Sequence, residues 1–272
     1  MPPAPANPVR TALAPLLDAL LPQTCVSCDS WIGADEPPAC PACRGLLEAT
    51  IALPSCPFCG RTVSPFSIHE KDCARCRTER FWNVGGIVRV GEYREEALRR
   101  MLVGLKFAGG ERQADHLGHL LADAMRKAPW VGDVDILVPV PMHRLRRWQR
   151  PCDHARMLAD AVSRRLKIPV RRAAVGRVKY SVSQTRTVSQ AARFKNVKGC
   201  FGPSRRPKIA GQTVCIIDNL LVTGATIHEV SKVLRKAGAR HIYAAVVARA
   251  SLAGDPQAQI PDASEAPPDH PD

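Results

Sequence analysis

Four Cys-x-x-Cys pairs fall between residues 25 and 76: Cys25/Cys28, Cys40/Cys43, Cys56/Cys59 and Cys73/Cys76. The first two pairs are separated by 11 residues and the last two by 13. Thiolates of one such turn reach one metal together, and two turns complete a tetrahedral four-cysteine zinc site. The spacing therefore predicts two structural zinc ions. Spacing alone leaves the pairing open: first with second and third with fourth, or first with third and second with fourth. Every pair has a partner, so no coordination position is left for catalytic zinc. Redox work at a single Cys-x-x-Cys would not explain four of them. Gly60, directly after Cys59, offers the open backbone that a zinc knuckle uses. His69, between the third and fourth pairs, reads as a surface histidine rather than a ligand.

The other three of the 11 cysteines are scattered. Cys215 reads as strand core, Cys152 as an incidental packed thiol, and Cys200 carries no signal. Residues 1–21 contain one basic side chain, Arg10, and an apolar stretch broken by Pro15 and Asp18. That is not the pattern of a secretory leader, so a reducing cytoplasm is expected rather than a disulfide scaffold. Val9, Leu13, Leu16, Leu17, Leu20 and Leu21 recur at helical spacing and predict a short amphipathic helix lying on the protein. No apolar run approaches the ~20 residues that a membrane span needs.

The formal charge of +14 comes from 39 basic and 25 acidic residues, but it is unevenly placed. Residues 141–240 hold 23 basic side chains against 4 acidic ones. A stretch so basic is built to face an anion: phosphate, pyrophosphate or nucleic acid. Residues 22–80 have too little apolar mass for a core of their own.

From residue 81 the pattern changes to strands alternating with helices. Strands are expected at 86–90, 135–141, 168–170, 213–218 and 242–247. Helices are expected at 95–106, 113–127, 153–166 and 225–237, the last closed by Gly238. The polar, basic, Gly/Pro-punctuated stretch 177–207 reads as a long mobile loop. Continuous apolar strands between helices predict an α/β fold with a parallel sheet. The organisation expected is a loose N-terminus with a short helix at 1–21, a zinc module at 22–80, an α/β domain at 81–253 and a disordered acidic tail at 254–272.

Residues 215–226, Cys-Ile-Ile-Asp-Asn-Leu-Leu-Val-Thr-Gly-Ala-Thr, carry the most chemistry. A buried strand delivers Asp218 to its carboxyl end, where ligands of open α/β sheets bind. Thr223, Gly224, Ala225 and Thr226 then open a helix, whose first backbone N–H groups and two hydroxyls suit a phosphate. Asp218 is placed to hold ribose hydroxyls or a water on Mg2+.

This segment resembles the phosphoribosyl-pyrophosphate (PRPP) signature of type I phosphoribosyltransferases. Its surroundings resemble the ComF family of competence proteins, a double zinc ribbon followed by a phosphoribosyltransferase domain. The family's Val-Pro-Val-Pro stretch is found at Val138, Pro139, Val140 and Pro141, followed by His143, Arg144 and Arg146. Leu105, Lys106 and Phe107 match another stretch, as do Arg177, Lys179, Gln184, Arg193, Asn196, Val197, Gly199 and Phe201. The resemblance covers about residues 22–250 and implies a type I phosphoribosyltransferase-like open parallel sheet. It also implies a pyrophosphate loop of Pro139, Val140, Pro141, Met142 and His143, and a flexible loop at 177–198 closing over PRPP. The 5′-phosphate would lie on Thr223, Gly224, Ala225 and Thr226, the ribose on Asp218 and Asn219, with Mg2+ as companion. Asp218, Lys179 and Arg193 are the candidates for a part in catalysis.

The chain departs from the family pattern in places. Asn219 stands where the signature has a second acid, and Val222 where a Thr is common. Arg150-Pro151-Cys152-Asp153-His154 replaces Arg-Gly-Phe-Asn-Gln, and Pro151 supplies neither the φ freedom nor the N–H of glycine. The interval from Gln184 to Arg193 is one residue longer than usual, with Thr187 at a common Leu position. Two functions follow: a protein that binds PRPP with Mg2+, transferring phosphoribosyl to an acceptor the sequence does not name, or a degenerate zinc-ribbon adaptor for single-stranded DNA or competence-machinery proteins. Few aromatics (Trp148, Tyr180, Phe194, Phe201) serve base stacking in the basic stretch.

Overall fold

A computed structural model describes residues 23–33, 36–63, 68–69, 72–73, 76, 83–105, 110–143, 152–179, 190–203 and 209–250. The expected helix at 9–21 and tail at 254–272 lie outside the described residues. So do Lys106, Phe107, Arg144, Arg146, Trp148, Arg150, Pro151, Tyr180, Gln184, Thr187 and the side chain of His69.

The N-terminal part contains β1 (Gln23–Thr24), β2 (Trp31–Ile32), α1 (Pro41–Ala52), β3 (Ile68–His69) and β4 (Asp72–Cys73). After it come β5 (Ile87–Glu92), α2 (Glu96–Gly104), α3 (Glu111–Arg126), β6 (Ile136–Pro139) and α4 (His154–Leu166). The last part holds β7 (Val175–Arg177), α5 (Gln190–Val197), β8 (Phe201–Pro203), β9 (Thr213–Leu221), α6 (Ala225–Lys236) and β10 (His241–Arg249). β5, β10, β9 and β6 form a parallel sheet in that order, as the continuous apolar strands predict.

Period-two alternation divides the central strand β9 between two cores. Cys215 and Ile217 join one face, with Leu98 and Met101 of α2, Leu117 and Leu121 of α3, and Leu158 of α4. Val214 and Ile216 join the other, with Ile227, Val230 and Leu234 of α6. β9 continues three residues beyond Asp218 instead of ending there, because Leu220 and Leu221 still pair with Ala248 and Arg249 of β10. The strand expected at 168–170 is reduced to a single bridge between Val170 and Leu137.

The stretch expected as a loop at 177–207 is more structured than its composition suggests. β7 pairs antiparallel with β8, and α5 lies between them on α6. Phe194 sits 5.7 Å from the His228 ring, and Val197 and Phe201 are buried. Three apolar residues bury enough area to hold the segment, though polar neighbours dilute them in any sequence average. Residues 180–189 and 204–208 of this stretch lie outside the described residues.

The cysteine module divides between the same two cores. Cys25, Cys40, Cys43 and Leu47 belong to the first, and Cys56, Cys59, Cys73, Cys76 and Val84 to the second. Helix α1, which the cysteine spacing did not announce, begins with Pro41 at its start and turns Cys43, Leu47 and Thr50 inward. It lies on the edge strand β5, where a Cβ on Gly91 would stand 2.8 Å from Thr50 Cγ2. Among the described residues, no helix is long and apolar enough to cross a membrane.

Helices α3 and α4 approach most closely at Gly118, where an added Cβ would collide with the Cβ of Ala161. Helix propensity alone favours alanine over glycine by ~1 kcal/mol. Overpacking of ~1–3 kcal/mol opposes it. Gly118→Ala is expected to lower stability by about 1 kcal/mol, read as a lower urea midpoint at unchanged slope; a gain in midpoint would show that the helices separate freely.

Candidate functional site

The sulfurs settle the pairing. Those of Cys25, Cys28, Cys40 and Cys43 lie within 4.8 Å of one another, and so do those of Cys56, Cys59, Cys73 and Cys76. First therefore joins second, and third joins fourth. Cys28–Cys40, Cys56–Cys76, Cys59–Cys73 and Cys73–Cys76 are 3.6, 3.4, 3.8 and 3.6 Å apart. Zn–S bonds of about 2.3 Å place tetrahedral sulfurs about 3.8 Å apart, so both donor sets fit zinc. In the first, the backbone N–H groups of Ser27 and Cys40 donate to Cys25 Sγ at 3.4 and 3.3 Å, which favours the thiolate. The residue after each knuckle takes the left-handed conformation: Gly60 at φ 72° and Asp29 at φ 57°. Gly60 also lets the knuckle approach the sheet, since a Cβ there would stand 3.3 Å from Ile87 Cγ2.

The second site lies at the carboxyl edge of the sheet. Burial of Asp218 on β9 desolvates its carboxyl and pushes it up to about 7. The Asn219 N–H, which donates to Asp218 Oδ1 at 2.8 Å, and the Arg177 guanidinium pull the other way, while Asp153 raises it further. Arg177 ends β7, its guanidinium 5.3 Å from the Phe201 ring centroid. Asp153 caps α4, accepting from the Arg156 N–H at 3.4 Å.

Next to Asp218, the Val140 N–H donates to the Ile217 carbonyl at 2.9 Å. The loop of Pro139, Val140, Pro141, Met142 and His143 therefore leaves the sheet alongside β9. Pro139 and Val140 are buried, and Pro141, Met142 and His143 half-buried. On the other side, Gly224 turns into α6 at φ 77°, a conformation that favours glycine. Its carbonyl accepts from the His228 N–H at 2.8 Å. Buried Thr223 accepts from the Ala225 N–H at 3.4 Å, and Thr226 is half-buried in the first turn. A helix start with inward N–H groups favours an anion.

Lys179 and Arg193 are placed differently. Lys179 is exposed just beyond β7, its N–H donating to the Cys200 carbonyl at 3.4 Å. Arg193 is half-buried on α5, and burial lowers its guanidinium pKa. Helix α5 is tied to α6 through the Gly199 N–H, which donates to Glu229 Oε2 at 2.9 Å. Cys215 is core, as expected, and Cys152 is half-buried beside Asp153. The electrostatic pairing of Arg177 with Asp218 escaped the sequence reading, because 41 residues separate them and only the β7–β8 hairpin closes the gap.

Comparison with known proteins agrees with this geometry. A double zinc ribbon domain model matches residues 16–77, and a phosphoribosyl transferase domain model matches residues 151–264. Competence protein F of Haemophilus influenzae is 29% identical over 231 residues, covering 83% of this chain and 96% of that one. Competence protein ComFC of Bacillus subtilis is 23% identical over 232 residues, covering 79% of this chain and 89% of that one. DNA utilization protein YhgH of Escherichia coli is 27% identical over 188 residues, covering 68% and 79%. The chain thus joins a double zinc ribbon domain to a phosphoribosyl transferase domain, and over most of its length it is similar to two competence proteins.

Proposed function

We propose that the carboxyl edge of the sheet binds PRPP or a related phosphoribosyl ligand, in a cytoplasmic protein that serves natural competence and DNA utilization. One observation carries this reading. The loop at 139–143, the buried carboxylate of Asp218 and the helix start at 223–226 leave adjacent parallel strands at one edge. Such an edge suits a ligand with an anion at each end and a hydroxylated ring between. The pyrophosphate would lie on the first loop, the 5′-phosphate on Thr223, Gly224, Ala225 and Thr226, and the ribose hydroxyls on Asp218 and Asn219.

The residues present fit a divalent cation shared with the ligand. Asp218 supplies an anionic oxygen and Asn219 an amide oxygen, while Asp153 adds negative charge nearby. Mg2+ there would neutralise the diphosphate charge. Transfer breaks the bond between the sugar's anomeric carbon and pyrophosphate, which departs with the electron pair while the acceptor bonds to that carbon. The chain's part is to hold the ring, stabilise the leaving anion and exclude water. Lys179 and Arg193 belong to the segment that would supply cationic charge over the leaving group. Asn219 in place of a second acid weakens the grip on cation and ribose.

The reading is tested by calorimetric titration of the zinc-loaded protein with PRPP in Mg2+. Asp218→Ala and Thr226→Ala are each expected to weaken binding at least tenfold, as loss of a hydrogen bond to a charged group of ~1.5–3 kcal/mol requires. No heat and no thermal protection at millimolar PRPP would refute it.

The raised Asp218 pKa gives a pH signature. The carboxylate must be ionised to hold cation or hydroxyls, and its carboxyl titrates near 7. Affinity is therefore expected to fall as pH drops, by about tenfold between pH 8 and 6. Asp218→Asn removes that slope and separates it from titration of the ligand's phosphates. Equal slopes in the two proteins would exclude Asp218 as the responding group.

The basic stretch favours a second role in contact with single-stranded DNA or competence-machinery proteins. Arg171, Lys179, Lys195, Lys198, Arg235, Lys236 and Arg240 are exposed. Salt-sensitive binding to an oligonucleotide that survives Asp218→Ala would establish a separate DNA surface; absence of binding at low salt would remove this role.

A further inference from the structure

The amino edge of the sheet, opposite the loops at 139–143 and 222–226, holds a cleft of about 180 Å³. Three polar side chains line it from three separate segments: Asn83 just before β5, Arg235 in the last turn of α6, and His241 at the start of β10. Buried Ile242 and half-buried Tyr243 form its apolar wall. That wall is fixed. Tyr243 stacks on Trp130, with ring centroids 4.4 Å apart and planes 3° from parallel. The Gly85 N–H donates to the Ile242 carbonyl at 2.8 Å, and a Cβ on Gly85 would stand 3.0 Å from Tyr243 Cε1.

Arg235 is held as well. Its Nη1 donates to the Ala239 and Arg240 carbonyls at 3.0 and 2.6 Å, across the turn that Gly238 makes at φ 91°. A cation there caps the last carbonyls of α6 and opposes the helix dipole. Capping engages one nitrogen only. The Nε and Nη2 edge of the same planar group, a fork suited to two parallel hydrogen bonds with an oxyanion, has no partner among the described residues. Nor do the side chains of Asn83 and His241. Lys236 and Arg240, exposed next to the cleft, add positive charge, and no carboxylate lines it.

Size narrows the ligand. Drug-sized ligands occupy pockets of about 300 Å³ or more, whereas one water takes ~30 Å³. The cleft suits a small hydrated anion.

We propose that Arg235, His241 and Asn83 form an oxyanion site for a phosphate group, at the edge of the sheet opposite Asp218. Arg235 supplies a bidentate grip, and the imidazole and amide N–H groups complete the set of donors. A free phosphate and a phosphate of a nucleic-acid strand present the same contact chemistry, and the experiment separates them. The site uses neither Asp218 nor the helix start at 223–226, so it is independent of the reading of the carboxyl edge.

The test follows the backbone amide resonances of the isotope-labelled, zinc-loaded full chain. Inorganic phosphate is the probe, and sodium chloride at matched ionic strength is the control. Saturable shifts are expected at Asn83, Gly85, His241 and Tyr243, and they are expected to persist in Asp218→Ala. His241→Ala and Asn83→Leu leave the cap of α6 untouched, and each is expected to weaken phosphate about tenfold, the loss of one hydrogen bond to a charged group. Arg235→Lys keeps the cation but loses the fork, and should weaken phosphate by a similar factor at an unchanged unfolding midpoint. Fluorescence anisotropy with a labelled single-stranded oligonucleotide then identifies the source. Binding about tenfold weaker in His241→Ala assigns the site to a strand; unchanged or absent binding, with the phosphate shifts intact in the unaltered protein, assigns it to a free anion. Equal shifts with chloride, shifts confined to residues 223–226, or a phosphate affinity unchanged in both His241→Ala and Asn83→Leu would overturn the proposal.

Discussion

Coordination by four thiolates does for the N-terminal segment what burial does for the rest of the chain. The described residues between 23 and 76 form two four-cysteine clusters, and each cluster adds its cysteines to a different face of the sheet. So short and polar a segment cannot offset the entropy of ordering its backbone through apolar contact alone. Metal binding supplies that free energy because the site exists only in the folded chain. Gly60 lies close to Ile87, Gly91 to Thr50, and Arg249 to the Cys59 carbonyl, so the segment that carries the cysteines packs directly on the sheet. The edge strand, which would otherwise be open to pairing with other chains, is thereby covered.

From that clasped edge the sheet runs β5, β10, β9, β6, and the loops at 139–143 and 222–226 leave its far strands. The cysteine module, whose short strands pair only with each other, therefore packs on the same four-stranded sheet that carries the loops at 139–143 and 222–226. Ala250, the residue after Arg249, donates to the Leu221 carbonyl at 2.8 Å, one residue before the loop into α6. The same β10 terminus touches the Cys59 carbonyl of the second cysteine cluster on one side and β9 on the other.

Much of this was legible in the residues. Strand–helix alternation located the four strands of the sheet and the helices packed against it, because continuous apolar strands and amphipathic helices differ in period. Composition misled at 177–207, where Phe194, Val197 and Phe201 bury against α6 despite polar neighbours. Helix α1 went unseen because its inward residues, Cys43, Leu47 and Thr50, include a metal ligand and a hydroxyl rather than an apolar stripe. At the site, the signature at 215–226 was readable because a strand, a tight glycine turn and a helix start are local. Arg177 and Asp153 were not readable as partners of Asp218, since their approach depends on how α4 and the β7–β8 hairpin dock.

By itself, the sequence determined that eight cysteines make two four-thiolate sites, that a parallel α/β sheet follows, and that its basic half carries a strand, a glycine turn and a helix start in succession. Those features depend on spacing and periodicity, which are local. Only the tertiary structure decided which cysteine pairs share a metal, that the two metals lie on opposite faces of one sheet, and that Arg249 and Arg89 are buried beside the second. Those outcomes depend on which surfaces meet, and a charge far along the chain becomes a neighbour only when the sheet closes.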